Sequence, residues 1–306
     1  MTVAKQRFVL IGHPVLHSLS PAIHQAAYDA LGLPHRYELV DCPDEAAVER
    51  VVAELRAGKI AGANVTIPWK RAALKLADRV APGAQRVAVA NVLARGEGGA
   101  IVAHNTDVPA LVEEFQRLSS SVRRAVVIGN GGAAPAVVSA LQDAGAERIA
   151  LTARRFDSKE PESNWPHGAD FAAQGASLLA WPESDPAAAR RFRETLARVD
   201  VIVQCTSAGM HGADDGEQLA RIVPWEHVPQ SALAYDLIYN PATTPFLTHA
   251  RQAGLEAENG LGMLVAQAAL AIKLWLNLTP PRAALEHAAL AALAERTTRE
   301  HAEGHA

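Results

Sequence analysis

The strongest constraint on this chain is the stretch from Ala125 to Ala144. An apolar run from Ala125 to Ile128 stops at Gly129-Asn130-Gly131-Gly132, and an alanine-rich, helix-forming segment from Ala133 to Ala144 follows. Gly129, Gly131 and Ala134 carry the G-x-G-x-x-G/A spacing of a dinucleotide fingerprint. The first glycine permits a sharp strand-to-helix turn, the second lets the backbone approach a diphosphate, and the small third residue lets helix and strand pack closely. The helix start then offers free N–H groups and a positive dipole end to phosphate. Gly129, Asn130, Gly131, Gly132 and Ala133 are therefore candidate cofactor contacts. A second strand-like run, Arg148 to Ala153, completes a β-α-β unit of about the expected ~30 residues. Arg154 and Arg155 follow it, with no acid to hold a ribose hydroxyl. Arginine suits a 2′-phosphate, so the pattern favours NADP over NAD; the plain alternative is two solvated surface arginines.

The fingerprint lies near residue 130 of 306, so roughly one domain precedes it. That part also alternates, with strands expected at 8–11, 36–40 and 60–65 and helices at 20–31, 44–57 and 68–77. A helix at 108–118 leads into the cofactor unit, which continues through strands at 199–204 and 232–237, a helix near 245–253 and a strand at 255–258. The expected fold is α/β with two α/β domains. Residues 1–117, completed by helices in 260–306, form a substrate domain with a mixed, mostly parallel sheet. Residues 118–259 form a Rossmann-like NADP-binding domain, and a cleft separates the two. The segment 156–197 is the least legible: 157–168 is polar and Pro/Gly-rich and reads as loop, 186–198 reads as helix, and the tail from Arg299 reads as frayed.

Hydrophobic residues make up 49% of the chain, enough for a sizeable core, and the net charge of −4 argues against nucleic-acid or membrane-surface partners. Cys42 and Cys205 stand in no metal or redox spacing and read as reduced cysteines of a cytoplasmic protein. Only seven residues precede the first strand, which leaves no room for a signal peptide, and the apolar run Leu261 to Leu276 contains Gln267 and Lys273 and is too short for a bilayer.

The first domain carries polar residues where its strands end. Gly12 to Pro21 contains His17, Ser18 and Ser20; Ser20 is expected to cap the helix that Pro21 opens, and two hydroxyls two apart suit a small carboxylate. Gly62 to Lys70 contains Asn64 and Thr66 and puts Lys70 at a helix start, where a cation is electrostatically misplaced and so unexplained by helix stability. Asn91 and Asn105-Thr106-Asp107 follow, with Asp107 expected to cap the 108–118 helix.

In order and spacing these motifs resemble the shikimate dehydrogenase family. H-S-x-S-P stands at His17 to Pro21, G-x-N-V-T-x-P-x-K at Gly62 to Lys70, N-T-D at Asn105 to Asp107 and G-x-G-G-A at Gly129 to Ala133. Further matches are C-T-S-A-G-M at Cys205 to Met210, the Tyr-Asp pattern from Tyr235 through Tyr239 to Leu247, and G-x-x-M-L-x-x-Q from Gly260 to Gln267. The resemblance runs from residue 8 to about 276. It implies that Lys70 is the general acid/base, paired with Asp107. It places Ser18, Ser20 and Tyr239 on the substrate carboxylate, and has Asn64, Thr66, Asn91, Asp107 and Gln267 hold ring hydroxyls or order the cleft. It places Gly129 to Ala133 on the diphosphate, Arg154 with Arg155 on the 2′-phosphate, and Thr206, Leu237 and Gly260 beside the nicotinamide.

The implied activity is NADP-dependent reduction of 3-dehydroshikimate to shikimate by a monomer or homodimer with no metal. The alternatives are a paralogue acting on quinate or a related ring, and a non-catalytic nucleotide sensor, which the presence of both Lys70 and Asp107 disfavours. Val92, Ala103, Ala110, Ala153 and Lys273 to Asn277 depart from the family pattern without removing a catalytic group, the mark of a divergent member.

Overall fold

A computed structural model describes residues 3–160, 164–165 and 167–303, with side chains described to residue 296. The chain divides into two compact units, Met1–Ala110 with Leu264–Ala306, and Leu111–Met263.

The first unit runs β1 (Arg7–Gly12), α1 (Ser20–Ala30), β2 (Arg36–Asp41), α2 (Glu45–Arg56), β3 (Gly62–Val65), α3 (Lys70–Leu76), β4 (Arg79–Val80), α4 (Pro82–Val87), β5 (Val92–Arg95) and β6 (Ile101–His104). Helix α5 (Asp107–Leu118) starts here, and α11 (Leu261–Leu276) and α12 (Arg282–Glu303) return to it. The continuous apolar run Phe8 to Ile11 is buried on both faces, as a central parallel strand requires. In α2, Val48, Val51, Val52 and Leu55 recur at helical spacing and face the core, and Asp44 caps the helix by accepting the Ala47 N–H at 2.8 Å.

The sheet order is β2-β1-β3-β5-β6-β4. β1 is parallel to β2 and β3, but β5 runs antiparallel to both β3 and β6. Neither β5 nor β6 is expected from the sequence. Each is four residues long, and the reversal between them is made at Gly96 to Ala100, where Gly98 and Gly99 take φ of 67° and 82°. Two helix starts also differ from expectation. Ser20 is the first residue of α1 and caps nothing: Leu19 holds the cap position without a side-chain bond. Asp107 does not cap α5 either; Asn105 Oδ1 accepts the Val108 N–H at 3.0 Å. Both hydroxyl and carboxylate are engaged elsewhere, as described below.

The second unit runs β7 (Arg124–Ile128), α6 (Ala134–Asp143), β8 (Arg148–Thr152), α7 (Gly168–Ala173), β9 (Ser177–Leu179), α8 (Pro186–Leu196), β10 (Val201–Gln204), α9 (Glu217–Ile222), β11 (Leu233–Asp236), α10 (Pro245–Gln252) and β12 (Glu256–Glu258). Its strands lie in the order β12-β11-β10-β7-β8-β9, all parallel. Counted from β7 this is the 3-2-1-4-5-6 order of a dinucleotide-binding sheet. The obscure segment after Arg155 supplies α7 and the edge strand β9. The loop expected over 157–168 falls partly on 161–163 and 166, outside the described residues; within it Trp165 stacks on Phe156 at 4.8 Å. Helix α12 continues to Glu303 where fraying was expected, and 304–306 lie outside the described residues. Among the described residues no helix is long and apolar enough to cross a membrane.

An aromatic cluster underlies β1 and α1. The His24 ring stacks on Tyr37 at 3.9 Å and 11°, and neither of its nitrogens has a hydrogen-bond partner. Burial pushes the imidazole pKa down to about 3, so His24 is neutral in the fold. In the unfolded chain it titrates near ~6.5. Protons therefore bind the unfolded chain first as pH falls: stability is full above ~6.5 and is lost progressively towards pH ~3. His24→Leu should remove this slope. Measured by denaturant unfolding, the wild type should lose about 2 kcal/mol relative to the variant between about pH 7.5 and about pH 5.

Candidate active site

The strand directions of the first unit decide which residues meet. β1 and β3 are parallel with Leu10 opposite Asn64, so the loop carrying Ser18 and the loop carrying Thr66 leave the same edge. Because β5 runs the other way, its amino end lies beside the carboxyl ends of β3 and β6: Asn64 is opposite Val92, and Val92 opposite His104. Asn91, just before β5, and Asn105 to Asp107, just after β6, are thus brought to that edge.

Asn91 ties the edge together. Its N–H donates to His104 O at 3.1 Å and its carbonyl accepts the Val65 N–H at 2.8 Å. Its side-chain Oδ1 accepts the Thr106 N–H at 2.7 Å, and Nδ2 donates to Thr106 Oγ1 at 2.9 Å and Asp107 Oδ1 at 2.7 Å. The other oxygen of Asp107 receives Lys70 Nζ at 2.7 Å. The pair is largely enclosed, with side-chain exposures of 20% for Lys70 and 8% for Asp107. Lys70 is the first residue of α3, so the neighbouring helix dipole opposes its charge and Asp107 supplies the compensation. The arrangement presents an ammonium with one carboxylate partner and further N–H bonds to give, a proton donor positioned by a fixed acceptor.

Asn64 is buried and donates Nδ2 to Asn91 O at 3.3 Å. Thr66 packs its methyl so close to β1 that a Cβ at Gly12 would lie 2.3 Å from Thr66 Cγ2. Ser18 Oγ donates to Ser20 Oγ at 3.0 Å and accepts the Ser20 N–H at 3.2 Å, which is why Ser20 does not cap α1. Gln267 turns Nε2 to Leu264 O at 2.9 Å, one turn back on its own helix, rather than to the Lys70–Asp107 group. Tyr37 is a residue that the sequence reading overlooks: its hydroxyl donates to Asn64 Oδ1 at 2.7 Å. On an alternating strand it reads as ordinary core; its one signal is a phenol that needs a partner where it is buried.

In the second unit the loops after β7, β8, β10 and β11 line up at the carboxyl edge, and β7 and β10 flank the point where strand order reverses. Gly129 has φ of 114°, and a Cβ there would lie 2.7 Å from Thr206 Cγ2 and 3.1 Å from the Cys205 backbone. The two loops therefore touch. A Cβ on Gly132 would meet nothing within 4 Å, and one on Gly131 only Cys205 O at 3.9 Å. No side chain caps the start of α6, where Ala133 holds the cap position. Open space over a glycine backbone beside an uncapped ten-residue helix fits a diphosphate. Arg154 and Arg155 are exposed; Arg154 reaches Asp214 at 3.5 Å, so an acid distant in sequence stands where none follows the strand itself. Gly260 packs on Leu237, whose carbonyl would lie 2.2 Å from a Cβ at 260. Tyr239 follows β11 in this unit. Among the described residues no group of acids, histidines and cysteines could hold a metal ion.

The chain matches the family model of the shikimate dehydrogenase substrate-binding domain at residues 10–93 and that of the shikimate 5′-dehydrogenase C-terminal domain at residues 260–290. It is 35% identical over 288 residues to a shikimate dehydrogenase (NADP(+)) of Geobacter sulfurreducens, covering 93% of this chain and 96% of that one. Among solved structures it is similar to shikimate 5-dehydrogenase of Thermus thermophilus in complex with NADP(H) and shikimate, with a TM-score of 0.78, 34% identity and coverage of 94% and 100%. It is also similar to the ligand-free 5-ketofructose reductase of a Gluconobacter strain, with a TM-score of 0.76, 25% identity and coverage of 94% and 98%.

Asn91→Asp tests the geometry without reference to any substrate. It removes both Nδ2 donors and sets a second carboxylate against Asp107. Denaturant unfolding should show a loss of about 2–3 kcal/mol; an unchanged midpoint would mean that Asn91 does not brace Asp107.

Proposed function

The chain belongs to the shikimate dehydrogenase family, and from that premise we propose that it reversibly reduces 3-dehydroshikimate to shikimate with NADPH, a step towards aromatic amino acids. The observation that carries the reading is the 2.7 Å Lys70–Asp107 pair, braced through Asn91 at the edge of the first sheet. A sensor that only bound nucleotide would have no use for an enclosed cation with protons to donate.

NADPH, once held by the second unit, would supply the hydride for a ring carbonyl carbon. The carbonyl oxygen then gains negative charge and needs a proton, which Lys70 Nζ delivers; in the reverse direction Lys70 accepts it. Asp107 Oδ2 keeps Nζ in place, and Asn91 Nδ2 keeps the carboxylate from rotating. Asn91 has both of its Nδ2 protons engaged, so its offer to a substrate is an Oδ1 lone pair. Asn64, Thr66 and Gln267 serve the ring hydroxyls, and Ser18, Ser20 and Tyr239 the carboxylate. Gly129, Asn130, Gly131, Gly132 and Ala133 hold the diphosphate, Arg154 and Arg155 the 2′-phosphate, and Thr206, Leu237 and Gly260 the nicotinamide side.

Residues 1–117 with 260–306 serve the substrate, and 118–259 the cofactor. We place the enzyme in the cytoplasm as a monomer or homodimer, in keeping with its two unpaired, buried cysteines.

A panel of shikimate and quinate with NADP and NAD, followed by NADPH absorbance, tests the activity. Turnover should be fastest with shikimate and NADP, and none with either ring would overturn the reading. In the same assay Lys70→Ala should lose about 10²–10⁴-fold in kcat. Its NADP affinity, measured without substrate, should hold. Near-normal turnover would reduce Lys70 to a helix-start lysine. Arg154→Ala should raise the NADP KM by about tenfold or more, a charge-assisted contact to phosphate contributing ~1.5–3 kcal/mol. Equal losses with NADP and NAD would remove Arg154 from the 2′-phosphate site.

A further inference from the structure

The overlooked residue is Tyr37, and the direction of its hydrogen bonds is fixed by a backbone carbonyl. Asn91 O already accepts the Val65 N–H, and as a carbonyl it can only accept. The Asn64 side-chain atom facing it at 3.3 Å is therefore the amide nitrogen. Asn64 Oδ1 then faces the Tyr37 hydroxyl at 2.7 Å, and Tyr37 must donate its single proton there. One directed run of bonds thus goes from Tyr37 to Asn64 and ends on the Asn91 carbonyl. Tyr37 is held by its ring, stacked on the neutral His24 at 3.9 Å, so the hydroxyl cannot swing away.

Resting on the activity proposed above, we infer that Tyr37 is a positioning residue for the substrate site. Its hydroxyl fixes which face Asn64 presents, leaving one Nδ2 proton for a ring hydroxyl.

Tyr37→Phe keeps the ring and deletes the hydroxyl, and steady-state kinetics of the full chain with shikimate and NADP read the result. The shikimate KM should rise about five- to tenfold, as for loss of one neutral hydrogen bond. The kcat and the NADP KM should stay within about twofold, because neither the Lys70–Asp107 pair nor the second unit is touched. In an Asn64→Ala background the same substitution should change the shikimate KM by less than about twofold. An unchanged shikimate KM, an undiminished effect in the Asn64→Ala background, or an NADP KM that rises in step would overturn the inference.

If the wild type does not oxidise shikimate, the proposed activity fails and the chain is judged by proton NMR. A protected hydroxyl resonance lost in Tyr37→Phe should shift in Asn64→Ala. A resonance that does not move overturns the assignment.

Discussion

A carboxylate with 8% of its side chain exposed cannot stand without partners, and the organisation of the first unit follows from supplying them to Asp107. One oxygen needs a cation and the other a neutral donor. Lys70 comes from the end of β3 and Asn91 from the start of β5, and both reach Asp107 because β5 enters against the direction of its neighbours. A wholly parallel sheet would have put Asn91 at the opposite edge. The backbone of Asn91 then joins Val65 to His104, so the residue that braces the carboxylate is also the one that holds the two strand ends together. Site geometry and local fold stability are the same set of bonds.

The second unit answers a different constraint, the crossing of two loops at the centre of a parallel sheet. Gly129 at φ 114° sits against Thr206 with no room for a side chain, while Gly132 one turn further faces open space. Close packing behind and free backbone in front is what a diphosphate requires of a strand-to-helix turn. Arg154 beside Asp214 is an exposed pair, of the kind that contributes about 0–1 kcal/mol, so a phosphate can replace the carboxylate at little cost.

Much of this is legible in the sequence, because glycine spacing, hydrophobic runs and polar residues at strand ends are local signals. Apart from the short strands β4 and β9, the parallel elements of both units fall near their expected places. The antiparallel pair does not: β5 and β6 are four residues each, too short for periodicity to register, and only Gly96 to Gly99 marks the turn. The two caps misread at Ser20 and Asp107 have one cause. A hydroxyl or carboxylate at a helix start is read as a cap by default, yet here other partners outcompete the local N–H: the nearby Ser18 for Ser20, Lys70 and Asn91 for Asp107. Tyr37 was invisible for the opposite reason, since a tyrosine on an alternating strand needs no further explanation. The segment 156–197 gave little because its short elements, α7 and β9, lie among polar loop residues.

The proton chemistry draws on a small, closed set. The bonds among Lys70, Asp107, Asn91, Thr106, Asn64 and Tyr37 all lie within the first unit, and all of these groups but Lys70 are buried. Their orientations are set by backbone atoms that cannot change role: the Asn91 carbonyl at one end and the Thr106 N–H at the other. A hydrogen-bond array anchored this way is ordered before any ligand arrives, which is the condition for stabilising charge that develops on a reacting oxygen. It also explains why a cation can be kept at a helix start, where the dipole disfavours it. The unfavourable field at Lys70 is offset by Asp107, and Asp107 is held by Asn91, so the electrostatic cost of placing the proton donor is met by the same residues that aim it.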